Sequence, residues 1–288
     1  MGQIQNVFRL SFLFVLIVIL LVAITIFIRD NPLSDIYVNQ YESEIVHNFK
    51  NNLPGLTGKH IKIAIIDSPI DSTHSELKGK IKETIVFTTD SNENTSTASS
   101  HGTQVAGIIS AKDNGYGILG VAQETEIYSL VAIDSNGLGK IEDVCSALKW
   151  CLDNQMDVVN LSFSVKRDNQ ELEALINELN KKNTIIIASY NNRDSVSSYP
   201  AEYSNVIGVK SCDKTWFECK DGVVYAPGKN IITTIDKGGY ACVDGNSMAA
   251  AYVSGLAAIY KEYCNNNGIL FNKQIFLDFI SKRKGKVN

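Results

Sequence analysis

Ile61-Lys62-Ile63-Ala64-Ile65-Ile66-Asp67-Ser68-Pro69-Ile70-Asp71 is the stretch from which the architecture of this chain can be read. Four apolar residues in a row, Ile63 to Ile66, place Asp67 at the mouth of a buried parallel strand. Ligand sites in open α/β sheets lie at the carboxyl ends of such strands, so a carboxylate there is chemically informative. Outward from this strand, apolar runs over 84–87, 127–133, 158–162, 184–189 and 206–209 read as further strands. Helical spacing falls between them. Ile141, Val144, Cys145 and Leu148 share one face of a helix over 141–152, and Leu172, Leu175, Ile176 and Leu179 share one face over 170–182. Residues 248–260 form an apolar helix that suits only a central position. Strands alternating with helices predict an α/β fold, a mostly parallel sheet covered on both faces.

Two further segments carry chemistry. The first is His101-Gly102-Thr103-Gln104-Val105-Ala106-Gly107, and the second is Gly245-Asn246-Ser247-Met248-Ala249-Ala250-Ala251-Tyr252-Val253-Ser254-Gly255. A serine hydroxyl is a poor nucleophile at neutral pH and needs a base within hydrogen-bond reach. Histidine suits that task because its ordinary pKa lies near neutrality. A buried carboxylate then fixes the imidazole tautomer and stabilises the imidazolium. Gly102 and the small residues around Ser247 permit close backbone approach and helix starts. A helix beginning near Ser247 would aim its N-terminal dipole at a developing oxyanion. Alone, each segment is weak: an Asp at a strand end, a His-Gly pair and a small-residue helix start are all common.

Taken together, in the order Asp, His, Ser, these motifs resemble the subtilases, subtilisin-like serine proteases, over about residues 55–260. The resemblance implies a subtilisin-like three-layer fold and a triad of Asp67, His101 and Ser247. It implies an oxyanion-hole asparagine after the strand over 184–189. Asn191 aligns with that position, and Asn192 takes its place if the turn shifts by one residue. It further implies that an extended peptide adds as a strand between Gly137-Leu138-Gly139 and Ser162-Phe163-Ser164. The positions of Ser164 and Tyr190 are commonly glycine in the family, so both add bulk near the first substrate pocket and predict a narrower choice of cleavage site. Asp113-Asn114-Gly115-Tyr116-Gly117-Ile118 resembles a family calcium loop, with Glu76 as a closing carboxylate; a structural calcium held by Glu76 and Asn114 is thus an expectation, set against an ordinary Asp/Asn/Gly turn. The chemistry itself requires no cofactor. Pro69, Gln104, Asn246, Ala251 and Tyr252 depart from the family pattern without removing a catalytic group.

The rest of the chain sets the context. Residues 10–28 are apolar apart from Ser11 and Thr25, and Arg9 and Arg29 flank them. At 1.5 Å per residue such a helix nearly spans a bilayer core, and no A-x-A-like cleavage site follows. The expectation is a single-pass membrane anchor over 1–30, a linker over 31–54 and a catalytic domain over 55–288, with the domain extracytoplasmic. The stretch between Ile28 and Ile61 is too short for the inhibitory propeptide domain of many subtilases. A net charge of −4 argues against nucleic-acid binding. Of the six cysteines, Cys145 and Cys151 read as core thiols, while Cys212 and Cys219 flank a hairpin and could pair. None of the cysteines sits in a nucleophile motif. The partner expected is a peptide or protein substrate; the sequence leaves the oligomeric state open. Two functional classes follow: a serine endopeptidase, and a pseudoprotease that binds peptides without cutting them.

Overall fold

The computed structural model describes residues 43, 46–47, 53–88, 100–134, 136–193 and 197–281. In chain order the elements are β1 (Lys62–Asp67), β2 (Ile81–Val86), α1 (His101–Ser110), β3 (Glu126–Val131), α2 (Ile141–Asp153), β4 (Val158–Leu161), α3 (Gln170–Lys181), β5 (Ile185–Ser189), β6 (Ile207–Cys212), β7 (Glu218–Lys220), β8 (Val223–Pro227), β9 (Ile231–Ile235), β10 (Gly239–Val243), α4 (Asn246–Asn266) and α5 (Lys273–Ser281). The main sheet runs β2-β3-β1-β4-β5-β6-β8-β7. All its pairings are parallel except that of β7 with β8. β9 and β10 form a separate antiparallel ribbon.

The strand period of two divides the core into two layers. In β1, Ile63 and Ile65 face one side with α1, α4 and α5, while Ala64 and Ile66 face the other with α2 and α3. The same alternation recurs in β5, where Ile185 and Ile187 point to the first layer and Ile186 and Ala188 to the second. These side chains are almost wholly buried, and each buried isoleucine contributes about 1.5–3 kcal/mol. The expected three-layer α/β arrangement with a mostly parallel sheet is therefore found.

α4 is the central helix of the first layer. Every residue from Met248 to Glu262 is buried. Polar groups near its end are satisfied rather than exposed: Lys261 Nζ donates to the Asn183 carbonyl at 2.7 Å. Glu262 Oε2 accepts from the backbone N–H groups of Thr57, Gly58 and Lys59 at 3.0, 2.7 and 3.2 Å, clasping the chain that enters the sheet onto the core helix.

Two expectations are corrected. The anchor over 10–28 lies outside the described residues, and among the described residues no helix is long and apolar enough to cross a membrane. The membrane-anchored, single-pass placement is withdrawn on that finding. The cysteines at 212 and 219 are both free, on strands separated by β8. Cys145 and Cys151 are buried thiols, as expected. The Ser/Thr/Asn-rich stretch over 89–99 and the basic residues 282–286 also lie outside the described residues.

Candidate active site

Asp67 ends β1 and is 3 % exposed. Its carboxylate accepts from the Ser68 N–H at 2.7 Å and stands 2.8 and 2.9 Å from His101 Nδ1 through its two oxygens. His101 is the first residue of α1. That helix is set hard against the strand end: a Cβ at position 102 would lie 2.2 Å from the Ser68 carbonyl oxygen, so only glycine fits. The Gly102 N–H donates to Ser68 Oγ at 3.0 Å. A second clamp holds the same turn from the far side. Thr103 Oγ1, fully buried, donates to Asp236 at 2.7 Å and accepts from the Asp71 N–H at 3.0 Å. Asp71 in turn accepts from the Lys237 N–H at 2.9 Å.

The charge of Asp67 holds the His101 pKa above its ordinary value near 6.5, against the opposing effect of burial. With Nδ1 committed to Asp67, the neutral ring carries its lone pair on Nε2.

Ser247 is the second residue of α4, near the positive end of that helix. Its hydroxyl donates to the Ser162 carbonyl at 3.0 Å. Ser162 follows β4 and is itself braced from below: its hydroxyl donates to Asn160 Oδ1 at 2.8 Å, and Asn160 Nδ2 donates to Ser254 Oγ of α4 at 2.9 Å. Asn191 lies two residues past β5. Its Nδ2 donates to Ser164 Oγ at 3.2 Å, and its Oδ1 accepts from the Arg193 N–H at 2.9 Å. Asn192, by contrast, turns its Oδ1 to the Asn246 N–H at 3.1 Å. The structure thus pairs Ser247 with Ser162 and Asn191 with Ser164.

The other expected substrate segment is preorganised by Asp134. Its Oδ1 accepts from the N–H groups of Asn136 and Leu138, both at 2.8 Å, and the Asp134 N–H donates to the Leu138 carbonyl at 2.7 Å. These donors hold the Asp134 carboxyl below its ordinary range. Gly137, in the left-handed region at φ 77°, makes the turn, and Gly139 follows it. Leu138 is left 69 % exposed. Phe163 and Tyr190 are half-buried. The Tyr190 ring lies across Gly208 of β6, with Lys210 Nζ 5.0 Å from its centroid, so its bulk is directed onto the sheet.

Glu76 and Asn114 do come together, at 3.3 Å. Glu76 Oε1 accepts from the Tyr240 hydroxyl at 2.7 Å and Oε2 from the Asn114 amide. Asn114 Oδ1 is taken by the Tyr116 N–H at 3.2 Å. The backbone of Gly117 presses on the pair, since a Cβ there would lie 1.7 Å from Glu76 Oε1. Both oxygens of this carboxylate face hydrogen-bond donors, from Tyr240 and Asn114. Among the described residues no group of three or more His, Cys, Asp or Glu side chains gathers to hold a metal. His74 is buried; its Nε2 pairs with the Gly239 carbonyl at 3.0 Å and its Nδ1 accepts from the Glu76 N–H.

Sequence reasoning passed over Thr103 and Asp236 and marked Asn246 only as a departure from the family pattern. Their partners are distant in sequence, so no local signal marks them.

Comparison with known proteins places the chain in a family. The model of the subtilase family matches residues 58–275. The chain is 36 % identical over 216 residues to the minor extracellular protease Epr of Bacillus subtilis, covering 72 % of this chain and 33 % of that protein. It is 36 % identical over 219 residues to the thermophilic serine proteinase of Bacillus sp. (strain AK1), covering 72 % and 53 %. It is 32 % identical over 232 residues to subtilisin BL of Lederbergia lenta, covering 78 % and 83 %. The match thus spans about a third and a half of the first two relatives and most of the third.

Proposed function

The chain belongs to the subtilase family, and we propose that it is a serine endopeptidase that hydrolyses peptide bonds through an acyl-enzyme formed on Ser247. The observation that carries this reading is the paired contact of His101 Nδ1 with both oxygens of buried Asp67, at 2.8 and 2.9 Å. Such a pair presents Nε2 as a base. Ser247 Oγ attacks the scissile carbonyl as His101 takes its proton. The Asn191 amide and the N-terminal end of α4 stabilise the oxyanion. His101 then protonates the leaving amine, and water releases the acyl group by the same route. No cofactor enters these steps.

The peptide adds as a strand between 137–139 and 162–164. Strand addition calls on the Ser162 carbonyl, to which the Ser247 hydroxyl now donates. A substrate N–H that takes this acceptor releases the hydroxyl toward His101. The partner is therefore a peptide or protein substrate in extended conformation. The test is labelling with a fluorophosphonate probe. Wild-type protein should be labelled and Ser247→Ala should not. Absence of labelling in both, with peptide binding retained, would establish the pseudoprotease instead.

The raised His101 pKa sets two opposite pH dependences. Activity needs the neutral ring, so kcat/KM falls as pH drops through that raised pKa. The stability linked to His101 is fully present below the unfolded value of about 6.5 and is lost as pH rises through the folded one. Asp67→Asn removes the charge that raises it. The acidic limb of the pH–rate profile should move to lower pH, and kcat should drop by about 10⁴-fold. An unmoved limb would mean that another group controls it.

We expect the hydrogen bonds of Glu76 with Tyr240 and Asn114 to close the 113–118 loop without a cation. Chelation with EDTA is expected to leave the thermal midpoint unchanged. Tyr240→Phe removes a donor to a buried carboxylate and should cost about 1–3 kcal/mol, or several degrees. A midpoint that falls on chelation and returns with added calcium would overturn this.

A further inference from the structure

Asn246 is covalently next to Ser247, yet its side chain belongs to the turn that carries Asn191. We propose that Asn246 is a positioning residue that holds the oxyanion asparagine in register with the nucleophile. The proposal rests on the catalytic reading of Ser247 and Asn191 given above.

The geometry is unusually complete for one side chain. Asn246 is 7 % exposed. Its Nδ2 donates to the carbonyls of Tyr190 and Asn191, both at 3.0 Å. Its Oδ1 accepts from the Ser211 N–H on β6 at 2.7 Å. Its own N–H donates to Asn192 Oδ1 at 3.1 Å. One residue thus binds the backbone at 190 and 191, the side chain at 192 and the neighbouring strand. Both amide hydrogens are used, and both go to the turn beyond β5.

Asn191 has three other ties, one of them the Arg193 N–H on its Oδ1 at 2.9 Å. Its N–H donates to Ser198 Oγ at 3.0 Å, and its amide reaches Ser164. An oxyanion donor must sit about 2.7–3.1 Å from the developing charge, and a misplacement of about 1 Å costs on the order of 100-fold in rate. The spacing of Ser247 and Asn191 is therefore governed by the rigid group between them. The chemistry of that group is specific. A carboxamide offers two donors and an acceptor on one plane. Threonine offers one donor. Aspartate offers none and would set a negative charge against two carbonyl oxygens.

The test is a double-mutant cycle on a chromogenic peptide substrate. Asn246→Asp should lower kcat by about 10- to 100-fold with KM changed less than about twofold, because substrate strand addition does not involve it. Asn246→Thr, which retains a donor, should recover part of that loss. In an Asn191→Ala background, either substitution should cost less than about threefold, because the group it positions is gone. Equal losses in both backgrounds would overturn the proposal and make Asn246 a general support of α4. So would an unchanged kcat in Asn246→Asp. If that variant fails to fold, the same cycle run with Asn246→Thr decides. An Asn191→Ala variant with full activity would instead sink the oxyanion assignment itself, and is read separately in the single variant.

Discussion

Ser247→Ala is expected to lower kcat for peptide hydrolysis by about 10⁶-fold, a scale measured for subtilisin, a relative of this chain. The direction follows from the site. Ser247 provides the one hydroxyl at the start of α4, and removing it leaves His101 with no proton to take. His101→Ala should cost nearly as much, because without the base the hydroxyl stays un-ionised. The decisive measurement is the double variant. If Ser247 and His101 act as one unit, Ser247→Ala with His101→Ala should be no slower than either alone. Additive losses would mean that the two residues work in separate steps, and the triad would have to be abandoned. Substrate binding should persist throughout, since the segments 137–139 and 162–164 are untouched. A rise in KM parallel to the loss of kcat would point to a collapsed cleft.

Asn191→Ala should lower kcat by about 10²–10³-fold, some 3–4 kcal/mol, the scale measured for the corresponding donor in subtilisin. KM should hardly change, because an oxyanion exists only in the transition state. The neighbouring Asn192→Ala offers a built-in control. The sequence left these two positions competing, and the geometry separates them: Asn191 turns its amide to Ser164, whereas Asn192 turns its oxygen to the Asn246 N–H. Asn192→Ala should therefore cost less than about tenfold. Reversed magnitudes would assign the oxyanion donor to Asn192. Steady-state kcat and KM on one chromogenic peptide decide between them.

The central parallel strands were legible because burial on both faces leaves an unbroken apolar run, as at 63–66 and 185–188; parallel β8 was not foreseen, and the largely exposed β2 begins at Ile81, before the expected 84–87. Helices α2 and α3 were legible from spacing, their boundaries within a residue or two. The ribbons were not. β7 reads Glu218-Cys219-Lys220 and β10 reads Gly239-Tyr240-Ala241-Cys242-Val243, partly exposed strands with no apolar alternation. β9, Ile231-Ile232-Thr233-Thr234-Ile235, did carry a β-branched signal that could have been used. α4 runs on past residue 260 because Lys261 and Glu262 find buried partners far away in sequence. Asp67, His101 and Ser247 each lie in a contiguous motif, so local reading reached them. The grip of Asn246 on 190, 191 and 211 exists only after folding. The same holds for Glu76, whose partner Tyr240 is 164 residues away and was invisible to a reading of the 113–118 loop alone.

The position of α4 also decides when this molecule can exist. The helix packs on α1 and on β4, β5, β6 and β8, yet it begins only at residue 246 of 288. Translation at about 5–20 residues per second leaves the nascent sheet without its main cover for roughly ten to forty seconds. Through that interval the isoleucines and valines of the first layer face water. Each parallel pairing must also close a long loop, which slows folding further. The growing chain is thus a natural client for chaperones, and no release before α4 emerges could yield a stable domain.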